Sequence, residues 1–196
     1  MIERRRLVRD RDGRIRLRLP EEERQVLAAV AAELAVRLEE VGGAGGPHEV
    51  RPDGPDEIRP LRGEAGDAGS GGEGGRALPA DLVRLFPPAH AEDPAAEREY
   101  RLLVGDELLD GKRDSLRVFV ASLERDELAE EELEVWLRVL NDLRLVLGTR
   151  LDVNEETYAR PLDARDPDAP ELALFGYLSW LQEQAVEAAA AGFPGR

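Results

Sequence analysis

The sequence has no cysteine, two histidines, a single lysine and only 5% aromatic residues. Without cysteine the chain cannot form disulfides, thiolate-ligated zinc sites or a thiol redox switch. Two histidines leave little capacity for metal binding or acid–base chemistry. No apolar run approaches the roughly 18 residues that a membrane-spanning helix needs, and the N-terminus is too rich in arginine for a signal peptide. A cytoplasmic protein without metal or cofactor is expected, with no membrane partner.

The charge of the chain is large and unevenly distributed. The 196 residues carry a net charge of −15, yet 42% of them are hydrophobic, which is enough to form a core. Residues 1–19 hold eight arginines against three acidic residues and are therefore at +5, which leaves −20 for the rest. We expect the N-terminus and the rest of the protein to contact different partners.

An alternating pattern predicts a two-stranded β-hairpin at the N-terminus, over about residues 4–9 and 14–19. Its inward positions are Ile15, Leu17 and Leu19, and its outward positions are Arg14, Arg16 and Arg18. Asp12-Gly13 is typical of a hairpin turn. A two-residue loop would pair Val8 with Leu17, whereas a longer loop would pair Val8 with Ile15, so two registers stay open.

Helical periodicity predicts four helices, over about residues 20–41, 94–123, 129–147 and 170–191. The second helix continues through Gly111 and has an apolar arc of roughly 200° that includes Leu102 and Leu108, as a central helix would. Gly148 is predicted as the C-cap of the third helix. The fold class is thus mainly α, a small helical bundle of about four helices with the hairpin at its N-terminus.

Residues 42–79 contain twelve of the nineteen glycines and five prolines, which predicts a disordered linker. Residues 1–41 would form the hairpin and the first helix. Residues 80–196 would complete the bundle of the same single domain.

Two residues stand on helix faces where their type is unusual. Arg144 falls on an apolar face, so either its stem packs there while its head group meets an acid or helix-end carbonyls, or it lines a small cleft with Asn141 or Thr149. Trp180 falls on a polar face of the last helix beside Gln184. It is either an anchor for a protein partner or is covered by a flanking element.

The arginine stripe of the hairpin allows two interpretations. It could follow the phosphates of nucleic acid, or it could pair with the protein's own carboxylates. The strong negative charge of the rest of the chain favours the second interpretation. Asp106, Asp110 and Asp114 share a helix face with two arginines and predict an ion-paired surface instead of a metal site.

The segment from Trp136 to Leu151, which contains Leu-Asn-Asp-Leu-Arg-Leu-Val-Leu-Gly-Thr-Arg-Leu, resembles the signature of an actinobacterial domain-of-unknown-function family that includes the oxidative-stress regulator AosR. Residues 177–184 resemble the closing helix of that family. The resemblance implies a cytoplasmic regulatory protein that acts through protein partners such as sigma factors. The regulator branch is described as cysteine-switched, and that switch cannot operate here. The polar members of the signature are Asn141, Asp142, Arg144, Thr149 and Arg150.

The leading hypothesis is a non-enzymatic regulatory or adaptor-like interaction protein, and it leaves open an association with transcription and a homodimeric state. The candidate contact residues are Arg14, Arg16, Arg18, Asn141, Asp142, Arg144, Thr149, Arg150 and Trp180. A DNA-binding regulator that uses the hairpin is one alternative. An enzyme or small-ligand binder with a pocket near Arg144 is another, although no nucleophile or acid–base motif supports it.

Overall fold

The computed structural model describes residues 5–42, 78–154, 157 and 165–192, and within them the chain is mainly helical, as predicted. The predicted linker over 42–79 lies outside the described residues except at its two ends. The strands are β1 (Leu7–Arg9), β2 (Ile15–Leu17) and β3 (Glu127–Leu128). The helices are α1 (Glu21–Gly42), α2 (Pro94–Ser122), α3 (Glu130–Arg150) and α4 (Ala169–Ala190), with a short 3₁₀ helix at Val83–Leu85.

The turn of the hairpin uses three residues. The amide of Asp10 donates to the carbonyl of Arg14 at 2.9 Å, and the amide of Gly13 donates back to the carbonyl of Asp10 at 3.1 Å. Gly13 has a φ of +81°, the left-handed conformation that closes a three-residue hairpin loop. Asp12-Gly13 is therefore the end of the loop and not a two-residue turn.

This loop sets a register that differs from both predicted ones. Val8 pairs with Arg16, and Leu7 pairs with Leu17. Leu7, Ile15 and Leu17 consequently share the inner face and are almost fully buried, as the alternating pattern of β2 required. Both predicted registers for Val8 were wrong, because each would have paired it with a residue from the buried face of β2.

The sheet has three strands instead of the predicted two. β3 pairs antiparallel with β2, with Ile15 opposite Leu128 and Arg16 opposite Glu127. The amide of Leu17 extends the pairing by donating to the carbonyl of Asp126 at 2.8 Å. A strand of two residues is too short to show any alternation, so the sequence pattern did not reveal it.

The outer edge of the sheet is covered by α4. Gln184 is buried, and its Oε1 accepts hydrogen bonds from the backbone N–H groups of Arg6 and Leu7, at 2.6 and 3.2 Å. The prediction that Gln184 belongs to a polar face was wrong, because its amide oxygen serves as the pairing partner that β1 lacks on that side.

α2 is one continuous helix, as predicted, and Asp93 is its N-cap. The carboxylate of Asp93 accepts from the amides of Ala95 and Ala96 at 3.0 and 3.1 Å, and Pro94 occupies the first turn. Only the C-terminal half of α2 is buried, from Leu109 onward. The predicted wide apolar arc is therefore wrong for the N-terminal half, where Leu102 is 88% exposed.

The centre of the core lies between α2 and α3. Trp136 is fully buried, and its ring centroid is 4.6 Å from that of Phe119 at a tilt of 52°. The indole N–H donates to the hydroxyl of Ser122 at 2.7 Å, and that hydroxyl donates to the carbonyl of Phe119 at 2.6 Å. This chain of hydrogen bonds satisfies the one polar atom of a large apolar side chain, which allows full burial.

Gly148 lies inside α3, so its predicted C-cap role was wrong. A Cβ at this position would lie 3.0 Å from Cε2 of Phe175 in α4. The absence of a side chain therefore permits the close approach of two helices. The turn that follows α3 is made by Asp152, whose φ is 49°.

The different surroundings of Gly111 and Gly148 predict opposite effects of alanine substitution on stability. Gly111→Ala should stabilise the protein by about 1 kcal/mol, because no atom lies within 4 Å of the new Cβ and alanine favours helix. Gly148→Ala should destabilise it by about 1 to 2 kcal/mol through overpacking on Phe175. Urea unfolding followed by circular dichroism measures both. Equal shifts of the same sign would contradict the helix-contact role of Gly148.

Candidate functional site

The three outward arginines of the hairpin differ in their contacts. Arg16 binds Asp10, with Nε 3.1 Å from Oδ2, and also forms an ion pair with Glu127. Arg14 is 60% exposed, and its Nη1 comes no closer than 3.9 Å to Oε1 of Glu127, so this ion pair is weak. Arg18 is exposed, and no hydrogen bond or ion pair of its side chain is found within the described residues. The stripe is thus partly neutralised by the protein's own carboxylates and partly open to solvent.

Two further arginines bind the hairpin to the helices. Arg9 is 10% exposed and donates to the carbonyls of Ala188 and Gly13, at 2.8 and 3.0 Å, and to the carboxylate of Glu130 at 2.6 Å. It therefore joins the hairpin to both α3 and α4.

Arg6 is the second arginine that joins the hairpin to the helices. Its guanidinium binds the carboxylate of Glu23 in α1, with contacts from 2.6 Å, and the hydroxyl of Tyr177 in α4 donates to the same carboxylate at 2.7 Å. Burial and the hydrogen bond to Glu23 raise the pKa of Tyr177 strongly, so the hydroxyl remains a donor. Arginines at the N-terminus thus hold the sheet against the helices.

The signature residue Asp142 forms an ion pair with Lys112, the only lysine of the chain. The carboxylate oxygens lie 2.8 and 3.0 Å from Nζ, which connects α3 with α2. Burial raises the pKa of Asp142, and the Lys112 ammonium opposes this effect. Asn141 beside it is half-buried, and the described part of the chain provides no hydrogen-bond partner for its amide.

The head group of Arg144 is hydrogen-bonded, but to neutral side chains of α4 instead of the predicted acid or helix-end carbonyls. Nε donates to the hydroxyl of Ser179 at 2.8 Å, and Nη1 donates to Oε1 of Gln182 at 2.6 Å. The guanidinium also lies 5.5 Å from the ring centroid of Phe175. All three partners belong to α4, so Arg144 connects α3 to α4.

Thr149 and Arg150, at the end of α3, also make internal contacts. The hydroxyl of Thr149 donates to the carbonyl of Leu145 at 2.7 Å. Arg150 binds Glu33 of α1 at 2.9 Å and Glu171 of α4 at 3.1 Å. Asp142, Arg144 and Arg150 of the signature therefore hold the helices together, whereas Thr149 bonds within α3 and Asn141 has no such contact in the described residues.

Two of the clefts formed by the described residues lie near candidate residues. A small one of about 40 Å³ lies between α1, α3 and α4, and its aliphatic lining is completed by Glu33, Arg37 and Arg150. A wider one of about 460 Å³ runs along β2 and includes Arg18. Arg144 lines neither cleft, so these two do not provide the predicted pocket beside it.

Trp180 is half-buried and packs against the edge of the core. Its ring centroid lies 5.9 Å from that of Tyr177, the residue that binds Glu23. The indole is thus partly covered by the core and by a residue of its own helix.

The most exposed large hydrophobic residues are on α2, where sequence reasoning did not seek a site. Leu102 is 88% exposed and Leu103 is 76% exposed. Periodicity did not indicate this exposure, because it assigned Leu102 to an apolar arc that the described residues leave uncovered in the N-terminal half of the helix. We call Leu102 and Leu103 the leucine pair.

The described residues contain no cluster of three or more His, Cys, Asp or Glu side chains that could hold a metal ion. None of the helices in these residues combines the length and apolar character needed to cross a membrane.

Comparison with known families assigns the chain to one of them. The model of the domain of unknown function DUF2017 matches residues 4–189. The chain belongs to the DUF2017 family. No curated protein and no solved structure gives a significant match. The DUF2017 match extends from β1 to α4, so the hairpin, the signature in α3 and the leucine pair all lie inside the family domain. The resemblance to a domain-of-unknown-function family is confirmed at this level.

In this DUF2017 protein an ion pair fixes the segment that precedes α2. Arg37 of α1 binds Asp81 through two hydrogen bonds, one of them 2.7 Å from Nη2 to Oδ1. The Arg37 guanidinium lowers the pKa of Asp81 below the ordinary 3.8. Because the folded pKa is lower than the unfolded one, the pair stabilises the DUF2017 fold above about pH 4, and this contribution is lost as the pH falls through the folded pKa.

Asp81→Asn should therefore lower the free energy of unfolding by about 1 kcal/mol at pH 7, because a charge-assisted pair is lost, and by less below pH 4. Thermal unfolding between pH 7 and pH 2.5 measures the difference. Asp114→Asn, which affects the exposed pair with Arg117, is the matched control and should have little effect. A constant difference across this pH range would contradict the role of the Asp81 carboxylate.

Proposed function

We propose that this protein is a non-enzymatic, cytoplasmic regulatory or adaptor-like protein that acts by binding another protein, in a transcription-associated role like that of the AosR branch. The observation that carries the proposal is the exposure of Leu102 and Leu103. Two adjacent leucines at 88% and 76% exposure leave apolar surface in water, which is typical of a site that a partner covers.

The contacts of the signature residues support a binding role. Asp142, Arg144 and Arg150 are each engaged with side chains of other helices instead of converging on a common cleft. A polar group that holds helices together is not available to bind and orient a substrate. The leucine pair, by contrast, has no structural task in the described fold.

Site-specific photo-crosslinking in the native cell tests this proposal. A photoreactive phenylalanine at position 103 should give a defined adduct that mass spectrometry identifies as one protein. The same group at Val36, which is 54% exposed on α1, is the matched control and should not give it. Absence of an adduct specific to position 103 would refute the proposed use of the leucine pair.

A second candidate function, DNA binding by the hairpin, is favoured by the exposure of Arg14 and Arg18. Both side chains point away from the buried face of the sheet. Arg18 also lines the wide cleft along β2, so a phosphate could approach it without breaking an ion pair of that side chain.

This candidate predicts retardation of duplex DNA in a gel at low salt, with binding that weakens steeply as the salt concentration rises. Arg14→Ala combined with Arg18→Ala should reduce the affinity at least about tenfold, since two phosphate contacts would be lost. Arg98→Ala combined with Arg117→Ala removes the same charge from α2 and should leave binding unchanged. No retardation at low salt would exclude the candidate.

A further inference from the structure

We infer that the partner segment that covers the leucine pair is a basic amphipathic helix, with apolar side chains on one face and lysine or arginine beside them. This inference rests on the proposed function and adds the chemistry of the partner to it. The evidence is the arrangement of charge around Leu102 and Leu103.

Carboxylates flank the leucine pair at both ends. Residues three and four apart are neighbours on a helix surface. Glu99 therefore lies one turn before both leucines, and Asp106 lies one turn after both, so that the four side chains share one face of α2. Glu107 borders Leu103 on the same surface. All five of these side chains are exposed.

These carboxylates are free to bind a partner. Glu99, Asp106 and Glu107 form no ion pair within the described residues, whereas the next acidic residue along the face, Asp110, is 2.9 Å from Arg113. The leucine pair is thus bordered by three uncompensated negative charges. A partner that buried the leucines next to these carboxylates would be stabilised by cations in matching positions.

The nearest arginines of α2 are directed away from these carboxylates. Arg101 is directed to Glu97 and to the carbonyl of Phe86, each at 2.6 Å. Arg98 donates from Nε to the carbonyl of Pro94 at 3.2 Å, toward the start of the helix. Neither arginine forms an ion pair with Glu99, Asp106 or Glu107 within the described residues.

Charge disfavours two other occupants. If α2 of a second copy packed antiparallel on the leucine pair, Glu99 of one chain would face Asp106 of the other, and parallel packing would place each carboxylate against its own equivalent. Nucleic acid would bring phosphates to the same carboxylates. A basic helix is favoured because it offers cations to the acids and an apolar ridge that fits beside the leucines.

A defined probe tests the inference. The probe is a fluorescein-labelled 18-residue peptide of leucine and lysine in an amphipathic helical pattern, titrated with the full-length protein and followed by anisotropy. Leu102→Gln combined with Leu103→Gln should weaken binding at least about tenfold, because the partner loses the burial of two leucines. Val36→Gln combined with Val186→Gln changes two exposed apolar residues elsewhere and should leave the Kd within about twofold.

Charge variants separate local recognition from general attraction. Asp106→Asn combined with Glu107→Gln should weaken binding about fivefold or more at low salt, and this difference should shrink in 0.5 M NaCl. Glu39→Gln combined with Glu40→Gln makes the same change in net charge on α1 and is the matched control. Equal losses from the two charge pairs would overturn the inference, because the peptide would then respond to the total charge.

Control peptides and self-association complete the test. A scrambled peptide of the same composition and a peptide with glutamate in place of lysine should each bind at least about tenfold more weakly. Equal binding of either would overturn the inference. Sedimentation that shows a dimer in the wild type but not in the Leu102→Gln, Leu103→Gln variant would overturn it in favour of a second copy.

The two proposals fail separately. An adduct at position 103 whose partner offers no basic helix would refute this inference and leave the proposed function intact. Absence of any adduct at position 103 would refute the proposed function itself.

Discussion

The fold depends on the attachment of a very short sheet to a helical bundle. Strands of two and three residues cannot form a stable sheet alone, and the outer edge of β1 would expose unpaired N–H groups. The side-chain oxygen of Gln184 accepts two of them from inside α4. The Nε2 atom of the same amide is buried without a partner in the described structure, so the arrangement retains a polar cost. In return, the same side chain joins β1 to α4.

The attachment of the sheet to the helices explains where much of the N-terminal positive charge is used. The positive N-terminus suggests a surface for an anionic partner, yet Arg6, Arg9 and Arg16 are bound to carboxylates of the protein itself. These ion pairs are partly buried and carry several hydrogen bonds, so they fix the orientation of the hairpin relative to the helices. Arginines bound in this way contribute little to the attraction of an anionic partner. The acidic surplus, by contrast, remains on the helix surfaces, and part of it surrounds Leu102 and Leu103. The surface that most needs a partner is therefore negative.

The sequence predicted the helices well because local signals determine them. Asp93-Pro94 located the start of α2, and one continuous period carried the helix through Gly111, both as observed. The register of the hairpin, the pairing of β3 and the role of Gly148 depended on contacts between distant residues, which leave no periodic signal. Among the candidate site residues, the sequence identified Arg144 as unusual but could not distinguish a pocket from a contact with α4. It did not identify Leu102 and Leu103 as a site, since an apolar residue in register with a helix arc is normally covered.

The uneven burial of α2 also divides the helix into two parts of different local stability. No residue between Pro94 and Leu108 is buried, and this part is held by the Asp93 cap, by Arg101 on the carbonyl of Phe86, and by Glu97, which accepts from the amides of Ala89 and His90. From Leu109 onward the helix is fixed by the core. Opening of the N-terminal half therefore exposes little apolar surface and costs much less than global unfolding. The helix that carries the leucine pair is thus the part of the bundle that can lose order while Trp136 and its neighbours remain packed.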